Sequence, residues 1–493
     1  TCTHTNLKAL IAAAALMGAW PLAADVSDGV VGDDRSGLAP SVSGSVSAGI
    51  TVDINNATAN GTSHNTYTHF NVPEAGVTLD NSTAGANLII NEVTSANQST
   101  LQGALTVSGD KAHVVLANPN GITVDGGSFV NSASVMLTTG EIHRFTTVDS
   151  ITSRFDNNDI LADPEDPFFV AHVDGGAIRI TSNGIIANDN VVSDSAFPRL
   201  DLMAKTIVVE GSIDVDSLVE IYGGDSTTVF RKETAAIDEV AERVFQDRFD
   251  GSCDGSADVS LTVWNCSDLG ARDTAPSYVV DVTGSSASIE AGTINVTVND
   301  NGPGFRFAGD SLVSEVGRLN ISSQGEIEIV ATNGGSVTAA TDVDIRAIGA
   351  DISFTGSSSS QATITSGRDL RIVIDGDGAI INTGYALQSI LPSGASALLN
   401  GSVAIQATTF VNRSLSENGL GIVFSSSNKV GSGGYTWGES DSRSGGIQIT
   451  TTGDLYNESA RIISNNSVSF NVGGDIYNRV VRASGSNDGI VTS

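Results

Sequence analysis

The sequence predicts an all-β chain wound as a right-handed parallel β-helix. Three observations carry this expectation. First, aliphatic residues recur in short alternating runs, as in Leu319/Ile321, Ile327/Ile329, Val343/Ile345, Ile352/Phe354 and Leu370/Ile372/Ile374. Each run puts its apolar side chains on one face of an extended segment. Second, Gly, Asn, Asp and Ser separate the runs, and Gly alone numbers 54 of 493 residues; these are the residues that tolerate bends. Third, Gly453-Asp454-Leu455-Tyr456-Asn457 returns as Gly474-Asp475-Ile476-Tyr477-Asn478, and Arg461 and Arg482 keep the same offset. A period near 20 residues marks a coil that buries its inward side chains only by stacking on the next coil. With rungs about 4.8 Å apart, the roughly 18 coils that fit would make a rod on the order of 80–90 Å long.

Composition narrows the function. Aromatic residues are 5% and charged residues 16%, with a formal net charge of −32. Such a balance argues against nucleic acid and anionic membrane surfaces as partners, because like charges repel. Clustered carboxylates can bind divalent cations, but no twelve-residue EF-hand loop and no Gly-Gly-x-Gly-x-Asp array is present. No metal site and no cofactor is expected.

Taken in order, the chain opens on Thr1, so an incomplete precursor or fragment is expected. Residues 7–22 read LKALIAAAALMGAWPL, with one Lys ahead of an Ala/Leu-rich run, then Leu22-Ala23-Ala24 and acidic sequence. This reads as a secretory signal over residues 1–24, cleaved near Ala24, and too short to span a bilayer comfortably. Asp25–Ser47 reads as a loose arm. His64 and His69 have no cysteine or nucleophile motif beside them and are expected to be structural. Asn118-Pro119-Asn120-Gly121-Ile122 reads as a tight turn between the apolar run Ala112–Ala117 and Ile122-Thr123-Val124. Asn118 can bond the backbone ahead of it, Pro119 presets φ, and Asn120 and Gly121 tolerate unusual dihedrals.

Residues 234–249 break the β pattern. Ile237, Val240, Ala241, Val244, Phe245 and Phe249 recur at helical spacing, Glu239 and Arg243 can pair, and Gly251 can end the helix. Cys253 and Cys266 follow, the only cysteines left once Cys2 goes with the signal. A close pair in an exported chain is read as a disulfide, worth roughly 3 kcal/mol by loop closure. Zinc would need more ligands, and redox pairs usually have two residues between them.

Five linked elements carry a resemblance. Asn91-Glu92-Val93, Leu101-Gln102-Gly103, Ala117 to Ile122, Gly126-Gly127-Ser128-Phe129-Val130-Asn131 and Leu137 to Gly140 follow one another in order. The stretch resembles the N-terminal secretion domain of the filamentous haemagglutinin family, exoproteins of two-partner secretion. Ser63-His64-Asn65-Thr66-Tyr67, Phe70-Asn71-Val72 and Gly302-Pro303-Gly304-Phe305-Arg306 are similar to the family as well; its Gly-Gly-Met-Tyr-Ala is absent, with Gly284–Ala291 in its place. The resemblance implies a secretion domain over residues 25–310 with an insertion at 225–275, then a β-helical shaft over 311–493. It implies a secretion motif of Asn91, Asn118, Pro119, Asn120, Gly121 and Ile122. The implied partners are an outer-membrane transporter of the two-partner secretion type and a host or bacterial surface receptor or glycan. The implied location is the cell surface or the medium, reached via the periplasm.

Four roles are then open: exported exoprotein, adhesin, stalk of a contact-dependent inhibition toxin, and β-helical polysaccharide-degrading enzyme. The last would need convergent groups on one face, with Asp342/Asp344/Arg346 and Asp369/Arg371/Asp375 as candidates. Charges alternating with buried aliphatics are usually the solvated side of a strand, so the chain is not expected to be an enzyme.

Overall fold

The computed structural model describes residues 28–58, 61–143, 145–147, 150–151, 169–185, 199–230, 278–300, 304–331, 335–390, 401–416, 419–425, 446–465 and 467–480. These residues wind into a parallel β-helix with three faces. The first face starts with Gly49–Asp53, Val77–Asp80, Ala104–Ser108 and Ser128–Val130, stacked in parallel. The second starts with Thr62–Phe70, Leu88–Val93, Ala112–Ala117 and Ser132–Thr138. The third is a twelve-stranded sheet running from Ser99–Leu101 to Ile476–Arg479.

The first two faces merge midway. Ser212–Gly224 and Ser288–Asn299 run around the corner between them. In the next coil the run divides: Ser311–Ser314 pairs with the first half of Ser288–Asn299 and Leu319–Ser323 with the second. The division then repeats coil after coil to Arg461–Ser464 and Ser467–Val472.

The alternation seen in the sequence is what builds the core. Ile50 stacks on Val77 and Val52 on Leu79, and these stack in turn on Leu105 and Val107; each is at most 5% exposed. Each such aliphatic contributes about 1.5–3 kcal/mol by leaving water. Tyr67, Phe70, Phe305, Phe307, Phe354, Tyr385 and Phe410 are the largest side chains so enclosed.

The structure corrects two expectations. The segment read as a loose arm is a cap. Val30–Gly32 pairs antiparallel with Thr62–Phe70, and Ser41–Ser45 pairs antiparallel with Gly49–Asp53. Asp33 ties it down, accepting bonds from Arg35 and from Thr94 Oγ1; the Arg35 guanidinium holds its carboxyl far below the usual carboxylate range. The rod is also shorter than expected. Among the described residues the second face stacks thirteen strands, from Thr62–Phe70 to Ser467–Val472, which at about 4.8 Å apart span roughly 60 Å, because chain between successive rungs adds none: Ile122–Val124 pairs directly with Ala177–Ile180, and Thr206–Val209 with Val280–Thr283.

A sheet outside the coils was not anticipated. Glu141–His143, Phe169–Val173 and Ser226–Phe230 form a separate three-stranded antiparallel sheet. Its Ile142, Ala171 and Val173 pack on Leu88, Ile90, Val115, Ala117, Met136 and Met203 of the second face. The described residues contain no helix. The helix expected at 234–249, the Cys253–Cys266 pair and the apolar run at 7–22 lie outside the described residues.

Candidate export motif

The tight turn is present as expected. Gly121 N donates to Asn118 O at 3.0 Å, closing a four-residue turn with Pro119 and Asn120 at its centre. Asn118 Oδ1 accepts from Asn120 N at 3.0 Å. Gly121 has φ +119°, and a Cβ there would lie 3.1 Å from Ala177 O in the next coil. Ile122 is buried in the core between Ser99 and Ile178.

The side chain of Asn118 does more than shape its own turn. Its Nδ2 donates to Asn97 O at 3.0 Å and to Ser99 Oγ at 2.9 Å, one coil earlier. Asn120 Nδ2 reaches Ser95 O at 2.7 Å, and Gln98 Nε2 donates back to Asn120 O at 2.9 Å. Two successive corners are therefore sewn together by amides. Asn91 has a similar duty in the interior: it accepts from Tyr67 Oη at 2.9 Å and donates to Val115 O at 3.3 Å. Burial drives the Tyr67 phenol well above its ordinary pKa, so it stays a donor. Asn91 and Asn118 are both fully buried, and only Pro119 and Asn120 of the motif are partly open to solvent.

The motif glycines have a steric reason. A Cβ on Gly103 would fall 2.2 Å from Pro73 O and 2.7 Å from Glu74 O of the preceding coil. Rigid backbone stands there, so the coils can stack only if this position lacks a side chain. Gly103→Ala is expected to cost about 2 kcal/mol by overpacking, seen as a lower urea midpoint with an unchanged slope; an unchanged midpoint would refute the close approach.

The remaining candidates have partners within the fold. His64 Nε2 lies 3.2 Å from Glu92 Oε2, both buried, and His69 faces Asp28 at 3.4 Å. Arg306 lies over the Tyr278 ring at 5.4 Å and near Asp281 at 3.5 Å. The acidic residues weighed for catalysis are engaged between coils. Asp342 pairs with Arg368, Asp344 with Arg371 and Asp375 with Arg346. Asp369 is 1% exposed and accepts from Ser402 N and Oγ at 3.1 and 2.7 Å.

Sequence reasoning missed two features. One is an amide ladder: Asn382 Nδ2 donates to Asn412 Oδ1, Asn412 to Asn457 and Asn457 to Asn478, at 2.9, 2.9 and 3.0 Å. The other is the outer sheet. Its signal was in the text: Leu88-Ile89-Ile90, Val114-Val115-Leu116 and Val135-Met136-Leu137 are continuous apolar runs, the pattern of strands covered on both sides.

Residues 33–329 match the TPS secretion domain family. The chain belongs to that family. A TPS secretion domain directs its chain through the periplasm to a partner transporter of the outer membrane, and so to the cell surface or the medium. Among curated relatives, a tRNA nuclease CdiA of Yersinia mollaretii is 38% identical over 27% of this chain and 5% of its own length. A tRNA nuclease CdiA of Escherichia coli is 26% identical over 73% of this chain and 10% of its own length. The chain thus spans a tenth or less of the length of these relatives. The crystal structure of a filamentous hemagglutinin secretion domain is 22% identical, with a TM-score of 0.48, over 72% of this chain and 99% of that one.

Proposed function

We propose that the Asn91 and Asn118–Ile122 motif acts twice: as the label the transporter reads, and as the corner brace of the folded coils. The observation carrying this is burial. Asn91 and Asn118 are enclosed once the coil has wound, so the transporter meets them while the chain is extended, by strand addition to its soluble domains. Folding outside, coil upon coil, then disfavours return. In this reading residues 1–24 are the signal, 25–310 the export domain with its insertion at 225–275, and 311–493 the start of a shaft with right-handed winding, the hand that right-twisted strands favour. Within the insertion, a helix over 234–249 is pinned by a Cys253–Cys266 disulfide.

The shaft serves as an adhesin or haemagglutinin-like filament, meeting a receptor or glycan on a host or bacterial surface. A second reading makes it the stalk of a toxin; it is favoured by the curated relatives, which are named as nucleases and are many times longer. No catalytic role is assigned to the shaft, since its candidate aspartates serve as staples between coils.

Export is tested by producing the chain with and without its partner transporter. Surface or medium protein should appear only with the transporter, and mass spectrometry of that unreduced material should find Cys253 linked to Cys266. Transporter-independent release would sink the export reading; free thiols would sink the staple.

A further inference from the structure

The Gly-Asp-x-Tyr-Asn repeat places two phenols together on the outside of the third face. Along Leu455–Glu458 the side chains alternate: Leu455 is 1% exposed and Asn457 joins the amide ladder, so Tyr456 points outward. Ile476–Arg479 lies in register on this strand, which puts Tyr477 directly beside Tyr456. Their rings are stacked, with centroids 4.8 Å apart and planes within 7° of parallel, a separation in the usual range for aromatic pairs. The backbone holds the pairing: Leu455 N donates to Asp475 O and Asp475 N to Asp454 Oδ1, both at 2.9 Å. Tyr67 and Tyr385 differ, being fully enclosed and packed edge-on against Phe70 and Phe354.

Each phenol also has a base at hand. Tyr456 Oη donates to Asp454 Oδ2 at 2.8 Å and Tyr477 Oη to Asp475 Oδ2 at 3.2 Å. The bond to Asp454 raises the Tyr456 phenol above its ordinary pKa, and the charge of Asp475 raises that of Tyr477. Both therefore remain protonated donors at neutral pH. Asp475 N and Tyr456 Oη together hold the Asp454 carboxyl below the usual carboxylate range, so it stays ionised. A phenol bonded to a carboxylate can shed its proton as its electron leaves, which makes it easier to oxidise than one without a base. Arg479 lies over the Tyr456 ring at 6.0 Å, and its charge is met by Glu458, to which its Nε donates at 3.0 Å.

We propose that Tyr456 and Tyr477 form an oxidative cross-linking site, where a haem peroxidase supplied with hydrogen peroxide joins two successive coils through a dityrosine bond. Each phenol gives one electron to the oxidant and its proton to the aspartate beside it. The two phenoxyl radicals couple through the ring carbons ortho to their oxygens. The hydrogens on those carbons then move to the oxygens and restore both hydroxyls. In sum one carbon–carbon bond forms, two hydrogen atoms leave the protein, and one hydrogen peroxide becomes two waters. Stacking makes the coupling intramolecular and oriented. The product ties two residues 21 apart in the chain and fastens coils that otherwise hold each other by contact alone.

Trypsin cuts after Arg443, Arg461 and Arg479, so the two tyrosines fall on separate peptides, residues 444–461 and 462–479. The whole secreted chain, dilute and folded, is treated with hydrogen peroxide and a haem peroxidase, and its monomer fraction is digested. Mass spectrometry should find the two peptides joined and two hydrogens lighter than their sum. Chain unfolded in urea, at matched oxidant turnover, should give about tenfold less of the joined pair. Tyr477→Phe should abolish the pair. Asp454→Asn keeps an acceptor for Asp475 N but loses the base, and should slow the coupling about tenfold. Peptides recovered unjoined, equal coupling in unfolded chain, an unchanged rate in Asp454→Asn, or coupling chiefly through Tyr222 or Tyr278 each overturns the proposal. If a variant does not fold, the comparison of folded with unfolded wild type still decides.

Discussion

Asn118→Ala is expected to abolish export and, separately, to destabilise the folded chain by about 3 kcal/mol. The second figure follows from what the side chain holds. Its Nδ2 satisfies Asn97 O and Ser99 Oγ, and its Oδ1 receives Asn120 N. Each net hydrogen bond contributes about 1 kcal/mol, and a buried partner left unpaired costs more. Asn118→Asp makes the chemistry sharper: it keeps the acceptor for Asn120 N but turns a carboxylate oxygen toward Asn97 O, and should be at least as destabilising. The two roles separate by measurement. Surface protein, scored with the transporter present, reports the label; the urea midpoint of purified chain reports the brace. An Asn118→Ala chain exported at the wild-type level with an unchanged midpoint would remove both roles at once. If only stability falls, the motif is a brace and the label lies elsewhere.

Much of this architecture was legible because a β-helix writes its core with period two. Ile327/Ile329 and Ile352/Phe354 stack in register as their alternation implies, and the turn at Asn118 is one a peptide chemist would draw unaided. What escaped has a common cause: partners separated by an irregular length of chain. The Asn457–Asn478 rung was readable because the two lie 21 residues apart, whereas Asn382–Asn412 spans 30 and Asn412–Asn457 spans 45. Loops between coils destroy the period while leaving the stack intact. The outer sheet was hidden for the same reason, since Glu141–His143 finds its neighbour beyond a long excursion at Phe169–Val173. The burial of the motif was hidden differently. Asn91 and Asn118 are polar, and polarity suggests exposure until the unpaired amides and carbonyls at coil corners are counted; those groups must be met by something, and asparagine carries both a donor and an acceptor.

The same arithmetic makes Asn412 the most sensitive position of the shaft. Asn412→Ala is expected to cost about 2–4 kcal/mol, because Asn412 is fully buried and stands in the middle of the ladder. Its loss removes the acceptor for Asn382 Nδ2 and the donor for Asn457 Oδ1 together, along with a longer bond to Arg461 O at 3.3 Å. Leucine would fill the volume but leave the same groups unmet, so it should rescue little. In a compact domain such a loss would lower stability everywhere. In a solenoid each coil touches only its neighbours, so damage stays local. Hydrogen exchange should therefore show lost protection in Thr409–Arg413, Leu455–Glu458 and Ile476–Arg479, while Ile122–Val124 and Ala177–Ile180 at the other end exchange as before. Uniform loss along the whole chain would mean that the coils fold as one cooperative block and that the ladder acts on all of it.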